Sequence, residues 1–372
     1  MAIIELEKTK KYKIDVPIGY NGNKRIRHIE TVYCTKKEAL LRENEIKLEI
    51  KNNTYINKQK VTVSTFIGEW LKSIKNTVAI KTYNNYKLYC KNICKNLGHI
   101  KLVNLNAKTL DSFYNELKTK SKYADRTIKD HYTAMTTILN TAIKWEYLNS
   151  NPNLKSKPIK VTKKEIQCYS PDEVNHLLQI LKFQPIKYQA LILLALDSSC
   201  RRGELTGLIW DDIDFARGTM DINKTTQYVP GYGIFEKPPK TASSVRTIYL
   251  APTTIQILKK YRKEQLTEKM RLGDIWENSN RVFTSITGGN MHPNTPSKIL
   301  SNIIKQNNLK YISFHGLRHT SISLQIASGI QAQIISKRAG HANLSTTHKI
   351  YSHFFENGFQ EVANKMDKYL HA

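Results

Sequence analysis

The sequence predicts a mainly α chain with small β elements (α+β), and three observations predict it. Apolar and polar residues alternate over residues 12–33. From Val63 to Tyr147 the apolar spacing turns helical, and it is helical again after Ser170, interrupted near the middle by two strand-like segments. With 372 residues there is room for two or three domains, each able to bury a core.

Tyr12-Lys13-Ile14-Asp15-Val16 alternates as a strand, Gly19 to Asn23 reads as a turn, and Arg25 to Tyr33 alternates again. Thr35 and Glu38 make a capping box that opens a helix from Lys36 to about Ile50. Residues 51–60 are polar and read as a linker. Four helices are then expected. Phe66, Ile67, Trp70, Leu71 and Ile74 form one face; Tyr83, Tyr86 and Cys90 a second; Leu110, Phe113, Tyr114 and Leu117 a third. Ile128, Tyr132, Met135, Ile138, Leu139 and Ile143 mark the longest, with lysines outside and the tyrosines in the core. Residues 151–164, rich in lysine and holding two prolines, form a break. Ser170-Pro171-Asp172-Glu173 supplies a hydroxyl cap, Pro at N1 and Glu at N3 of a new helix. A buried helix at 186–197, strands at 219–226 and 245–250, and helices at 253–271, 296–307, 315–328 and 331–339 complete the chain. The expected units are 1–58, 61–150 and 168–372.

Lys and Arg number 58 against 31 Asp and Glu, a net charge of +27. Basic residues outnumber acidic ones in each of residues 1–60, 61–160 and 161–372, so no single tail explains the excess. Such a chain suits a polyanionic partner, double-stranded DNA, contacted along much of its length. No apolar run reaches membrane-spanning length, and Met1 to Lys13 has charges where a signal peptide needs an apolar stretch. Five dispersed cysteines are read as free thiols of a reducing cytosol. Cys90 and Cys94 share a helix face but lack the second pair a zinc site needs. The expectation is a cytoplasmic, nucleoid-associated protein with no membrane partner, no metal and no cofactor.

Three segments carry the chemistry: Arg201-Arg202-Gly203-Glu204, His315-Gly316-Leu317-Arg318-His319, and Gly340-His341 with Tyr351 ten residues on. A guanidinium forks onto two phosphate oxygens and stays charged. Tyrosine, with a pKa of about 10, needs a cationic pocket to react as phenolate. Together two arginines, two histidines and a tyrosine can hold a phosphodiester and attack it. Glu204 is placed to orient the arginine three residues before it, and His315 and Arg318 share one helix face. His319 is expected to be a satisfied core histidine. Gly340 is placed as the residue that ends the preceding helix.

This order and spacing resemble the tyrosine recombinase (phage integrase) family over roughly the last 200 residues. The resemblance implies Arg201, rather than Arg202, at the scissile phosphate. Ser199 stands where the family often has glycine, and both are compact. Lys240, in Pro238-Pro239-Lys240-Thr241, resembles the family's hairpin lysine and would act as general acid, with Lys237 the rival. Tyr351, flanked by Ser352-His353 and chosen from 20 tyrosines, would be the nucleophile. The implied catalytic set is Arg201, Lys240, His315, Arg318, His341 and Tyr351, supported by Glu204. Residues 1–58 resemble an arm-type DNA-binding module, with a plain capping hairpin as the alternative; 61–150 resemble a core-binding domain; 168–372 resemble the catalytic domain. A 3′-phosphotyrosine intermediate, topoisomerase IB-like strand transfer, integration and excision of a phage or mobile element, and a homo-tetramer on synapsed attachment sites are implied. The tail after Phe359 would pack on a neighbouring subunit, and an excisionase and a host DNA-bending protein would assist.

Two other function classes fit parts of the sequence. Asp211, Asp212, Asp214 and Asp221 suggest a metal-dependent nuclease. A non-catalytic DNA-binding regulator would satisfy the basic bundle but leave the arginine, histidine and tyrosine set unused.

Overall fold

In the computed structural model, the described residues are 3–7, 11–21, 24–51, 60–157, 159–162, 167–238, 245–340, 367 and 370. They fall into two compact units, residues 1–163 and 164–372. The chain is mainly helical with small antiparallel sheets, as its periodicity predicts.

The first unit opens with an antiparallel meander, β1 (Ile3–Glu7), β2 (Lys11–Asn21) and β3 (Lys24–Tyr33). Tyr12, Ile14 and Val16 point to one face, where α1 (Lys36–Lys51) lays Ala39 and Ile46 against them. The helix begins as its capping box requires: the Thr35 N–H donates to Glu38 Oε2 at 2.8 Å.

Helices α2 (Val63–Ile74), α4 (Ala107–Thr119) and α5 (Asp125–Lys144) bury most of the stripes that their spacing marks, whereas α3 (Ile80–Leu97) buries Cys90, Ile93 and Leu97 and leaves Tyr83 and Tyr86 half-buried. Phe66, Trp70, Ile93, Leu110, Phe113, Met135 and Ile138 form their core. Composition puts a break at 151, yet Asn151 and Asn153 belong to this bundle. Asn153, fully buried, accepts from Tyr114 Oη at 2.7 Å and donates to the Tyr132 carbonyl and to Thr136 Oγ1. His131 is likewise closed, one ring nitrogen on the Thr127 carbonyl and the other on Asn92.

The second unit begins with α6 (Pro171–Leu181), capped by Ser170 and Glu173, and α7 (Ile186–Ser198), whose Ala190, Leu191, Leu194 and Ala195 sit at the centre of the core. After α8 (Arg202–Gly207) come β4 (Ile213–Asp214) and β5 (Thr219–Ile222), which form a sheet with β8 (Arg246–Tyr249) in the order β4-β5-β8. The strand expected at 219–226 is two. Asp212 takes the side chains of Asn223 at 3.0 Å and Lys224 at 3.3 Å, which bends the chain. Beyond the bend, β6 (Thr225–Val229) pairs with β7 (Gly233–Lys237) in a separate hairpin, turned at Pro230-Gly231 where Gly231 has φ +82°. Helices α9 (Pro252–Leu272), α10 (Thr295–Gln306), α11 (Phe314–Ala327) and α12 (Ala332–Ala339) follow.

Candidate active site

Four short pieces of the second unit converge: the turn from α7 into α8, the first turns of α11, the end of α12, and the inward face of β8. The turn is shaped by Ser199, which ends α7 in the left-handed region (φ +54°, ψ 22°). Compactness is therefore not what this position demands; it demands a positive φ, which L residues adopt at a cost. The strained serine is tied down through its side chain, 2.7 Å from Ser321 Oγ and 3.1 Å from Gln325 Nε2. Its carbonyl thereby faces Arg318.

Arg201 is the N-cap residue of α8. The Glu204 carboxylate takes the Arg201 backbone N–H on one oxygen and Arg201 Nη1 on the other, each at 2.9 Å. Arg201 Nη2 donates to the Gly340 carbonyl at 2.9 Å. The side chain remains 41% exposed, so the guanidinium is oriented yet not closed off. Arg202 points elsewhere, to Ser297 Oγ at 2.7 Å. Gly203 lets α8 touch the hairpin, since a Cβ there would lie 2.5 Å from Thr225 Oγ1.

Arg318 is buried on α11. Its Nη1 donates to the Ser199 carbonyl at 2.7 Å, while Nη2, equally buried, has no hydrogen-bond partner among the described residues. Burial, followed by the charge of Arg201, pushes its pKa down to about 10, still well above neutrality. Ser313 caps the helix by accepting the Gly316 N–H at 3.2 Å. His315, one turn before Arg318, keeps an exposed edge; desolvation by its packed neighbours, then His319, Arg318 and Arg201, lower its pKa to about 4. The ring is neutral at pH 7 and can accept a proton or share one. His319 stands edge-on to it with centroids 4.6 Å apart. It is not the satisfied core histidine expected: its buried Nδ1 has no partner among the described residues.

Burial alone would raise the Glu204 carboxyl, but Arg246, the Arg201 backbone N–H and the Arg201 charge together hold it below the ordinary carboxylate range. One carboxylate thus stands among three guanidiniums, Arg201, Arg246 and Arg318. That excess of cation favours an anion. Lys240, His341 and Tyr351 lie outside the described residues, as does the tail after Phe359 apart from Asp367 and Leu370. Lys237 ends β7. Gly340 ends α12 as expected, with φ +67°, immediately before His341.

Arg246 was not singled out from sequence. The signal is there in hindsight: in the β8 alternation it shares the inward face with buried Ile248, and an inward cation on a strand needs a buried partner.

The four aspartates of the nuclease reading each accept hydrogen bonds from the protein itself. Asp211 takes Asn280 Nδ2, Asp212 the Ile209 N–H, Asp214 the N–H groups of Ala216 and Arg217, and Asp221 the Thr247 hydroxyl. Among the described residues no three metal-ligating side chains converge. A cleft of about 310 Å³ between Trp210, Arg262 and Trp276 contains no histidine and shares no residue with the arginine–histidine cluster.

The model of the Phage integrase family matches residues 168–357, and that of the Phage integrase SAM-like domain matches residues 62–158. A tyrosine recombinase XerC-like protein of Caldanaerobacter subterraneus subsp. tengcongensis is 29% identical over 364 residues, 92% of each chain. The ICEBs1 integrase of Bacillus subtilis is 25% identical over 379 residues, 100% of both. Among solved structures, the Tn1549 transposon integrase in complex with a circular intermediate DNA superposes with a TM-score of 0.69 at 17% identity, over 78% of this chain and 95% of that one. At that identity the superposition speaks to the fold alone.

Proposed function

This chain belongs to the phage integrase family, and from that premise we propose that it is a site-specific DNA recombinase, the integrase of a phage or mobile element. One observation carries the reading: the buried Arg318 Nη2, without an acceptor among the described residues, beside the partly exposed side chain of Arg201. Buried polar hydrogens are rarely left unpaired, and a phosphodiester oxygen is the acceptor that this cationic pocket favours.

Arg201 and Arg318 hold the non-bridging oxygens of the scissile phosphate and stabilise the charge that grows on them in the transition state. The Tyr351 oxygen attacks phosphorus, losing its proton to neutral His315. The new P–O bond to tyrosine forms as the P–O5′ bond breaks, and Lys240 protonates the leaving 5′ oxygen. His341 hydrogen-bonds the same phosphate. The products are a 3′-phosphotyrosine and a free 5′-hydroxyl. A 5′-hydroxyl from the partner strand reverses the step without ATP. Residues 1–58 bind arm-type sites, 61–150 grip the core site, and 168–372 carry the chemistry in a homo-tetramer on two duplexes. An excisionase and a host DNA-bending protein assist, in the cytoplasm of a bacterial host.

The test is to incubate the protein with a nicked duplex carrying the element's own core site, in excess EDTA, and run the mixture on a denaturing gel. An adduct whose modified peptide contains Tyr351 is expected. Loss of all cleavage on chelation, restored by Mg²⁺, would favour the aspartates instead and overturn the reading.

A further inference from the structure

We propose that Arg246 is a positioning residue for strand cleavage, a buried brace that sets Arg201 and the chain entering His341 as one unit. The inference rests on the recombinase reading above.

The support is a closed ring of hydrogen bonds. Arg246 projects inward from β8, and its side chain is 7% exposed. Its Nη2 donates to Glu204 Oε2 at 2.9 Å, the same oxygen that takes the Arg201 backbone N–H. The other carboxylate oxygen takes Arg201 Nη1. From its opposite side, Arg246 Nε donates to the Arg338 carbonyl at 2.7 Å. Two residues on, the Gly340 carbonyl accepts Arg201 Nη2. Both supports of the Arg201 guanidinium, Glu204 and Gly340, therefore lead back to Arg246.

Gly340 fits this arrangement twice over. Its φ of +67° suits glycine, and a Cβ there would sit 2.8 Å from Arg246 Nη1. The backbone before His341 is thus laid directly against the brace. Arg338 fixes the far side of the same turn, reaching the Tyr249 carbonyl at 2.8 Å and Asp197 Oδ1 at 2.8 Å. A guanidinium can span Glu204 and the Arg338 carbonyl at once because its donors diverge from a rigid plane. An ammonium is a single point and cannot. A purely structural ion pair would have no need to end on both supports of Arg201.

The test uses the full-length protein on the nicked core-site duplex, with single-turnover cleavage, gel-shift affinity and thermal unfolding measured together. Arg246→Lys should bind DNA as wild type does and cleave about 10²-fold more slowly, the scale of loss when a reacting group is misplaced by about 1 Å. If Arg246 acts through Glu204, the loss should largely vanish when Arg246→Lys is added to Glu204→Gln. Should Arg246→Lys fail to fold, Gly340→Ala takes its place, since its methyl collides with the same guanidinium; slow cleavage with normal binding is again expected. Cleavage at the wild-type rate by whichever variant folds overturns the proposal. So do losses that add independently of Glu204, or a loss matched by weaker DNA binding. Arg201→Lys run alongside separates the two claims: if it too cleaves normally, the recombinase site itself has been misread.

Discussion

The helical bundle and the arginine cluster bury polar groups in opposite ways. In the bundle, Asn153 has both ends of its amide engaged, and both ring nitrogens of His131 have partners. In the cluster, Arg318 Nη2 and His319 Nδ1 are buried with none among the described residues, and the one carboxylate, Glu204, pairs with Arg201 and Arg246 but not with Arg318. A closed network specifies a fold. An unfinished one, with one sign of charge in excess, specifies a ligand.

That contrast is broken most forcefully by altering the cluster while keeping its charge. Arg201→Lys and Arg318→Lys should each slow cleavage by about 10²–10³-fold, the range for loss of a donor that stabilises a developing oxyanion. Single-turnover rates within threefold of wild type would mean that these arginines serve structure. Acidity sharpens the contrast next. With the His315 pKa lowered to about 4, the ring stays neutral as pH falls below the ordinary histidine value of about 6.5. The acid limb of kcat/KM, which reports the free enzyme, should therefore lie below 6.5 and disappear in His315→Gln. A limb at or above 6.5 would show that His315 is not the group in play.

In the bundle the expectation reverses. Asn153→Ala strands the buried Tyr114 hydroxyl and should reduce stability by about 1–3 kcal/mol, read from denaturant unfolding, with the cleavage rate of the folded protein unchanged. Deleting residues 1–58 is likewise expected to leave the chemistry in place. Core-site cleavage should be spared while integration between full attachment sites fails. Footprints and recombination identical to those of the full-length protein would remove the arm-binding role.

The elements were legible in the sequence wherever apolar spacing or a cap expressed them. The stripe on α2, the Thr35–Glu38 and Ser170–Glu173 capping boxes, and Gly340 at the end of α12 all read directly. Arg201 with Glu204, and His315 with Arg318, are each local pairs in sequence, and the structure brings the two pairs together. What did not read through depends on contacts distant in sequence. The β6–β7 hairpin needed the bend that Asp212 imposes from 11 residues away. The left-handed Ser199 is held by Ser321, and Arg246 finds Glu204 across 42 residues. Composition also misplaced the end of the bundle, because Asn151 and Asn153 are polar by type yet buried by their hydrogen bonds.

The most direct test of the account replaces one oxygen. Tyr351→Phe should bind the nicked core-site duplex with wild-type affinity and form no covalent protein–DNA adduct on a denaturing gel. An adduct of normal yield from Tyr351→Phe would contradict the account and pass the nucleophile's role to another tyrosine, with Tyr311 and Tyr369 the first to examine.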